Sequence, residues 1–320
     1  MVRRVLVLAL LAALVAGCGG GDGDDEPPDR TIGFLRAVPN ADTAQGAFLE
    51  VLAEAGWVDG ENLTILAKDP AEAHVDDADE VVAGWLEQGI DLIVALSTSS
   101  ARVADAAAPD VPVLFLSTDP LAVGLVTDER SPSGHLTGAT FRVPADRTLD
   151  VAVRALGGPV RFGLLWPADD PAAAPVVDDV RRAAGDLDLS LVDEPFADPA
   201  DVARAVQALA GAGAEAVVLA NAPSLVRAFA EVEAALAAAG LPAVANTSNE
   251  FALVTLQPDT DELYRQIGRQ AVRLLSGTPV ASVPVEDPAG YRIVLDRAAA
   301  QRLGRTLPPD VVDLADEVKG

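Results

Sequence analysis

Eight short, almost uninterrupted apolar runs punctuate the chain between residues 31 and 245, and helical patterns lie between them. The runs are 31–36, 63–67, 91–96 and 111–116, then 161–166, 190–192, 216–220 and 242–245. A strand with one wet face alternates polar and apolar residues. A strand that is apolar throughout has both faces covered. Helices supply that cover. Ala44, Ala47, Phe48, Val51, Leu52 and Ala55 fall on one face of a 3.6-residue repeat. Val81, Val82, Trp85 and Leu86 do the same ahead of Gly89, and Leu263, Ile267, Ala271 and Leu274 ahead of Gly277 and Pro279. Such alternation gives parallel sheets joined by right-handed crossovers. The expected fold class is therefore α/β, with two Rossmann-like lobes of four strand–helix units each and parallel sheets. The hinge is expected near "TGATFRVPADR" (137–147), where helical periodicity lapses and Gly138 and Pro144 stand. A chain of 320 residues, half of them hydrophobic, is long enough for two domains of ~100–150 residues.

The N-terminus reads differently. Arg3 and Arg4 precede an apolar run of 12 residues, 5–16. As a helix this rises only ~18 Å, short of the ~30 Å hydrocarbon core of a bilayer. Residues 1–17 are expected to be a signal peptide. Val15-Ala16-Gly17-Cys18 resembles the lipobox of bacterial lipoproteins, which implies lipidation at Cys18, the single cysteine of the chain. Residues 19–29 contain only Gly, Asp, Glu and Pro, so 18–30 reads as a flexible acidic tether. The implied mature domains hold no disulfide and no thiol. Membrane attachment is then by the N-terminal lipid alone, on the outer face of the cytoplasmic membrane or in the periplasm.

The net charge of −26 argues against nucleic acid, whose affinity rests on Lys and Arg neutralising phosphates, and it suits a soluble monomer. Catalytic motifs are missing: the chain has no G-x-S-x-G, no P-loop, and no G-x-G-x-x-G opening a helix after a strand. Only two histidines occur, His74 and His135, and neither sits in a metal-ligand pattern. His74 lies in "AEAHVDDADE", a solvated acidic face rather than a metal site. No enzyme, cofactor or metal is expected.

In open α/β sheets ligands bind beyond the carboxyl ends of the strands. Polar residues gather there: "AVPNAD" after the first run, "STSS" after the third, "STDP" after the fourth, then "PADDP", "NAPS" and "NTSNE" in the second half. Ser97, Thr98 and Ser99 open a helix, where free N–H groups, hydroxyls and the positive dipole end suit a carboxylate. Plain N-capping is the alternative, though capping needs one hydroxyl and four stand in a row. Thr118 and Asp119 suit a ligand amine, or Asp119 caps the turn before Pro120. Asn221 and Ser224 are open to the same two readings. Trp166 is either a stacking platform or core.

Taken in order, "IGFLRAVPNADTAQGAFLEVLAEAGWVDGENLTI", "IDLIVALSTSSARVADAA", "VPVLFLSTDPLAVGLV" with "GHLTGAT", and "YRIVLDRAAAQRLGRTLPPDVVDLADEV" resemble the tryptophan/tyrosine-type ABC substrate-binding family, across residues 31–317. The resemblance implies a type I periplasmic-binding-protein fold whose chain crosses between lobes three times, here near 142–145, Ser248 and 277–279. Lobe 1 is then 31–143 plus 248–277, and lobe 2 is 144–247 plus 278–320. The ligand positions implied are Asp42, Ser97, Thr98, Ser99, Thr118, Asp119 and Asn221. The chain departs from the family pattern in "LQPDTDELY", where Tyr264 stands without an aromatic neighbour, and in "FLRAVPN" after strand one. The function implied is a solute-binding lipoprotein that closes on a small polar or amino-acid-like ligand and delivers it to an ABC permease. A ligand-sensing lipoprotein signalling to a membrane receptor shares the fold and the pocket and is the alternative. A secreted α/β hydrolase is more remote, because no serine has an evident histidine partner.

Overall fold

The computed structural model describes residues 27–36, 45–66, 78–170 and 172–320. Cys18, Asp42 and His74 lie outside the described residues, as do the signal-peptide segment and most of the tether. In chain order the first half comprises β1 (Arg30–Leu35), α1 (Gln45–Glu54), β2 (Leu63–Leu66), α2 (Ala78–Glu87), β3 (Leu92–Ala95), α3 (Thr98–Ala107), β4 (Val113–Ser117) and β5 (Leu136–Thr140). These strands form one sheet in the order β2-β1-β3-β4-β5, parallel throughout.

Successive side chains of a strand point to opposite faces, and here both faces are buried. Ile32, Phe34, Leu92, Val94, Leu114 and Leu116 pack on one side, Leu35, Ile93, Ala95, Val113 and Phe115 on the other. Phe48 and Leu52 of α1 cover the first face, Val82 and Trp85 of α2 the second. Leu86 is exposed, so the apolar face of α2 is narrower than its spacing suggests. Gly33 sits under Trp85: a Cβ there would lie 2.6 Å from the indole ring, so only glycine lets the helix seat.

The second half begins with α4 (Ala145–Leu156), β6 (Phe162–Pro167), α5 (Ala173–Asp186), β7 (Leu191–Phe196), α6 (Val202–Gly211), β8 (Ala216–Leu219), α7 (Pro223–Arg227), α8 (Phe229–Ala239) and β9 (Ala243–Ala245). It continues with β10 (Val254–Pro258), α9 (Thr260–Leu275), β11 (Tyr291–Asp296), α10 (Arg297–Arg302), α11 (Pro309–Val312) and β12 (Glu317–Lys319). The second sheet has seven strands in the order β12-β11-β10-β9-β8-β6-β7, parallel except where β10 meets β11. Its edge strand β7 carries Pro195, which an edge tolerates because no further strand needs its N–H.

All eight apolar runs are strands, but four strands arise where none was expected. One is β5, which overlaps the stretch read as the hinge. Its Gly138 lets the backbone approach β4, since a Cβ there would lie 2.0 Å from the Phe115 carbonyl oxygen. The others are β10, β11 and β12, which enlarge the second sheet.

These strands move two of the three crossings. The crossing expected near Ser248 falls after Pro258, because 254–258 pairs with β9 and β11 and so belongs to the second sheet. Helix α9 then packs on the first lobe, with Leu263, Ile267, Ala271 and Leu274 in its core. The crossing expected near 277–279 falls between Asp287 and Tyr291. Before it, the chain runs beside β5, Glu286 N–H donating to Gly138 O at 3.1 Å and Thr140 N–H to Glu286 O at 2.9 Å, while Val285 N–H donates to Glu129 O in the preceding loop at 2.7 Å. Among the described residues no helix is long and apolar enough to cross a membrane.

Candidate ligand-binding cleft

A cleft of about 430 Å³ opens where the chain passes between the two sheets, a volume within the usual range for small-molecule sites. Thr118 and Asp119 reach it from the end of β4, and Asn221 and Asn246 from the ends of β8 and β9. The two outer crossings contribute Phe141 and Arg142, then Asp287 and Tyr291. The start of α4 adds Asp146, and α5 adds Asp179 and Arg182.

Of the residues expected from sequence, Thr118, Asp119 and Asn221 are thus brought together. Ser97, Thr98 and Ser99 are not in this lining. Their hydroxyls are occupied with one another and with the helix end. Ser97 caps α3, its Oγ accepting from Ser100 N–H at 3.0 Å, and it lies 3.0 and 2.8 Å from the Ser99 and Ser100 hydroxyls. Thr98 Oγ1 bonds Ser117 Oγ at 2.9 Å, tying α3 to the end of β4. The capping alternative describes this turn. Asp119 also caps: its Oδ1 accepts from Ala122 N–H at 3.0 Å while the residue faces the cleft. Trp166 is partly buried against the second-lobe core, with the Arg181 guanidinium 5.8 Å over its ring, and it does not line the cleft.

Arg142 organises the cleft electrostatically. Both of its terminal nitrogens bond Glu129, the Nη1 bond to Oε2 being 3.1 Å. Nη1 also donates to Asp287 Oδ1 at 3.1 Å, and Nη2 lies 3.6 Å from Asp119 Oδ1. Thr140 Oγ1–H donates to the same Asp287 oxygen at 2.7 Å. The hydrogen bonds to Glu129 hold the guanidinium proton still more tightly than usual, against the effect of burial, with Asp287 and Asp119 adding to the hold. One cation therefore joins the first crossing to the third. From α9, Gln266 Nε2 donates to Asp287 O at 2.9 Å, and Gln270 Nε2 to Gly138 O and Pro284 O, both at 2.9 Å.

Two further groups are tuned. Burial first, and the nearby Asp287 carboxylate second, push the Tyr291 hydroxyl upward, so it remains a neutral donor. Burial alone would raise Asp170, but N–H and O–H donation from Ser224, with the Ala172 N–H, outweighs it and holds the carboxyl below its ordinary value. Its Oδ2 accepts from Ser224 N–H at 2.9 Å, pinning the loop after β6 to the start of α7 beside Asn221. Among the described residues no group of His, Cys, Asp and Glu could hold a metal ion.

A family model described as ABC transporter substrate binding protein matches residues 35–319. The chain belongs to that family. Its role is to bind a substrate, not to transform one. A curated relative, the tyrosine-binding protein of Clostridioides difficile (strain R20291), is 23% identical over 330 residues, 95% of this chain and 93% of its own. Among solved structures, the ligand-free, open form of a Clostridium difficile substrate-binding protein with adhesive properties has a TM-score of 0.78 at 22% identity, covering 91% of this chain and 99% of its own. An ABC domain from Streptococcus pneumonia in complex with L-Trp has a TM-score of 0.73 at 23% identity, again covering 91% and 99%. These likenesses show the fold, two α/β lobes of the type I periplasmic-binding-protein kind.

Within this substrate-binding chain, sequence reasoning missed Arg142, Asn246, Asp287 and Tyr291. Asn246 carried a usable signal, since it opens the "NTSNE" cluster after a strand. Arg142 and Asp287 carried none. Neither follows an expected strand, and their partners lie 13 and 145 positions away.

Proposed function

We propose that this chain is the extracytoplasmic receptor of an ABC importer. Anchored through a lipid on Cys18 and held off the membrane by the acidic tether, it closes its lobes on a small polar or amino-acid-like solute and hands it to the permease. The observation that carries the reading is the position of the cleft. Its walls come from both lobes and from the crossings, so a ligand touching both walls favours the closed form over the open one. In this reading Thr118, Asp119 and Asn221 touch the ligand, and Asp42, after β1, adds a first-lobe contact on closure. Thr98 supports the site by holding the end of β4, and Ser97 and Ser99 by closing the start of α3. The tyrosine and tryptophan named for the relatives make amino acids and their derivatives the first solutes to try.

Two measurements test this. In a bacterial host, the wild-type chain should incorporate a radiolabelled fatty acid and Cys18→Ala should not. Label on neither chain would remove the anchor from the reading. A thermal-shift screen of the chain from residue 19 with amino acids, amines, peptides and nucleosides should yield at least one solute that raises the melting temperature. A screen in which none does would sink the importer assignment.

A further inference from the structure

The polar groups of the cleft are mostly acceptors. Four carboxylates line it, Asp119, Asp146, Asp179 and Asp287, against two guanidinium groups. Both guanidinium groups are already paired with carboxylates. Arg142 is enclosed by Glu129, Asp287 and Asp119. Arg182 is paired with Asp179, and its side chain is 68% exposed, at the rim. Asp146 is exposed in the first turn of α4 and forms no ion pair among the described residues. Asn246 Oδ1 is buried in the lining with no hydrogen-bond donor in reach. Phe141 and Tyr291 supply aromatic surface, and the Tyr291 ring already holds the Arg147 guanidinium 5.4 Å above it.

An anionic group entering this cleft would lose its water and meet a surplus of negative charge. An ammonium group meets the opposite: unpaired carboxylate oxygens, a buried amide oxygen that needs a donor, and an aromatic face. We infer that the solute is a small organic cation, an amine or ammonium with an apolar or aromatic body and no free carboxylate. This rests on the cleft being the ligand site, and it narrows the amino-acid-like class proposed above. The ammonium sits between Asp119, Asp146 and Asn246 Oδ1, with its apolar body against Phe141 and Tyr291. Removing the carboxylate from the ligand removes the group for which the described lining has no unengaged cation.

A matched series separates the charges while keeping the body constant: tyramine, L-tyrosine and 4-hydroxyphenylacetate, with tryptamine, L-tryptophan and indole-3-acetate beside them. Calorimetric titration of the chain from residue 19 should show an amine bound at least ~10-fold more tightly than its amino acid, a gap of about 1.4 kcal/mol, and the acetates not bound. Affinity for the amine should fall as salt rises from 20 to 300 mM, as screening of a charge-based contact requires. Asp146→Asn should weaken amine binding ~10-fold while leaving the melting temperature of the ligand-free chain within about a degree, since the residue is exposed. An amino acid bound more tightly than its amine overturns the inference and leaves the importer reading standing. If no member of the series and none of choline, putrescine and agmatine binds, while another solute of the wider screen does, the inference again fails alone. If nothing binds in either experiment, both readings fall.

Discussion

The turn 97–100 and the crossing at Arg142 lie at the same end of the first sheet, and they use their polar groups in opposite ways. In the turn, four hydroxyl residues satisfy one another, the N-terminus of α3 and the end of β4. None of the four lines the cleft. At the crossing, one guanidinium gathers three carboxylates from segments far apart in sequence, and two of them face the cleft. The turn is local and self-contained. The crossing is non-local, and it joins the lobe connections to the binding wall. A run of polar residues at a strand end is thus a weaker pointer to a site than a single charge whose partners come from both directions along the chain.

The strongest way to break this contrast is to remove the cation. Arg142→Ala leaves Glu129, Asp287 and Asp119 facing one another without a counter-charge and cuts the link between the crossings. Charge-assisted hydrogen bonds contribute about 1.5–3 kcal/mol, and urea unfolding should show a loss of that size. Ligand affinity should fall with it, because Asp287 and Asp119 lose the group that orients them. Arg142→Lys should recover part of the stability but not the bidentate hold on Glu129. If Arg142→Ala unfolds at the wild-type urea concentration and binds normally, the crossing is an exposed ion pair of no consequence.

That contrast also explains how much could be read in advance. Runs such as "LIVA" in β3 announce themselves, because burial on both faces demands apolar residues throughout. The fifth strand, "LTGAT", is equally buried, yet two of its residues are threonines. Thr137 Oγ1–H donates to Val283 O at 2.6 Å, and Thr140 Oγ1–H to Asp287, partners 146 and 147 residues away. A buried hydroxyl is acceptable only when such a partner exists, and no local pattern reveals it. Thr118, Asp119 and Asn221 were legible because the strand-end rule is local. Arg142, Asp287 and Tyr291 were not, because the return of α9 and the strap beside β5 bring them together. Two of the three crossings were misplaced for the same reason: "VTLQP" falls in the first lobe when the crossing is set near Ser248, and only its pairing with β9 and β11 puts it in the second.

A second prediction addresses the other side of the comparison. Ser97→Ala removes the cap of α3 and should cost about 1 kcal/mol, measured by urea unfolding. The affinity for the cleft ligand should stay within about twofold, because the hydroxyl does not line the site. A large loss of affinity with little loss of stability would reverse the roles assigned to the two regions and return the turn to the binding wall.

The smallest effect concerns Asp170, which links strand end to helix start in the second lobe much as Thr98 links them in the first. Its carboxyl titrates below its ordinary value of 3.8, since donated N–H and O–H groups outweigh the effect of burial. A carboxylate whose folded value is depressed contributes stability above that ordinary value, and the contribution is lost as pH falls through the folded one. Asp170→Asn keeps an acceptor for Ser224 N–H but removes the charge. The wild type should be the more stable by about 0.5 kcal/mol or less near pH 6, as befits a largely solvated group, and the gap should close below about pH 4. Parallel thermal melts of the two chains across that window test the sign. A gap that stays constant with pH would mean that shape, not charge, pins the loop to α7, and the two lobes would then use the same neutral device at their strand ends.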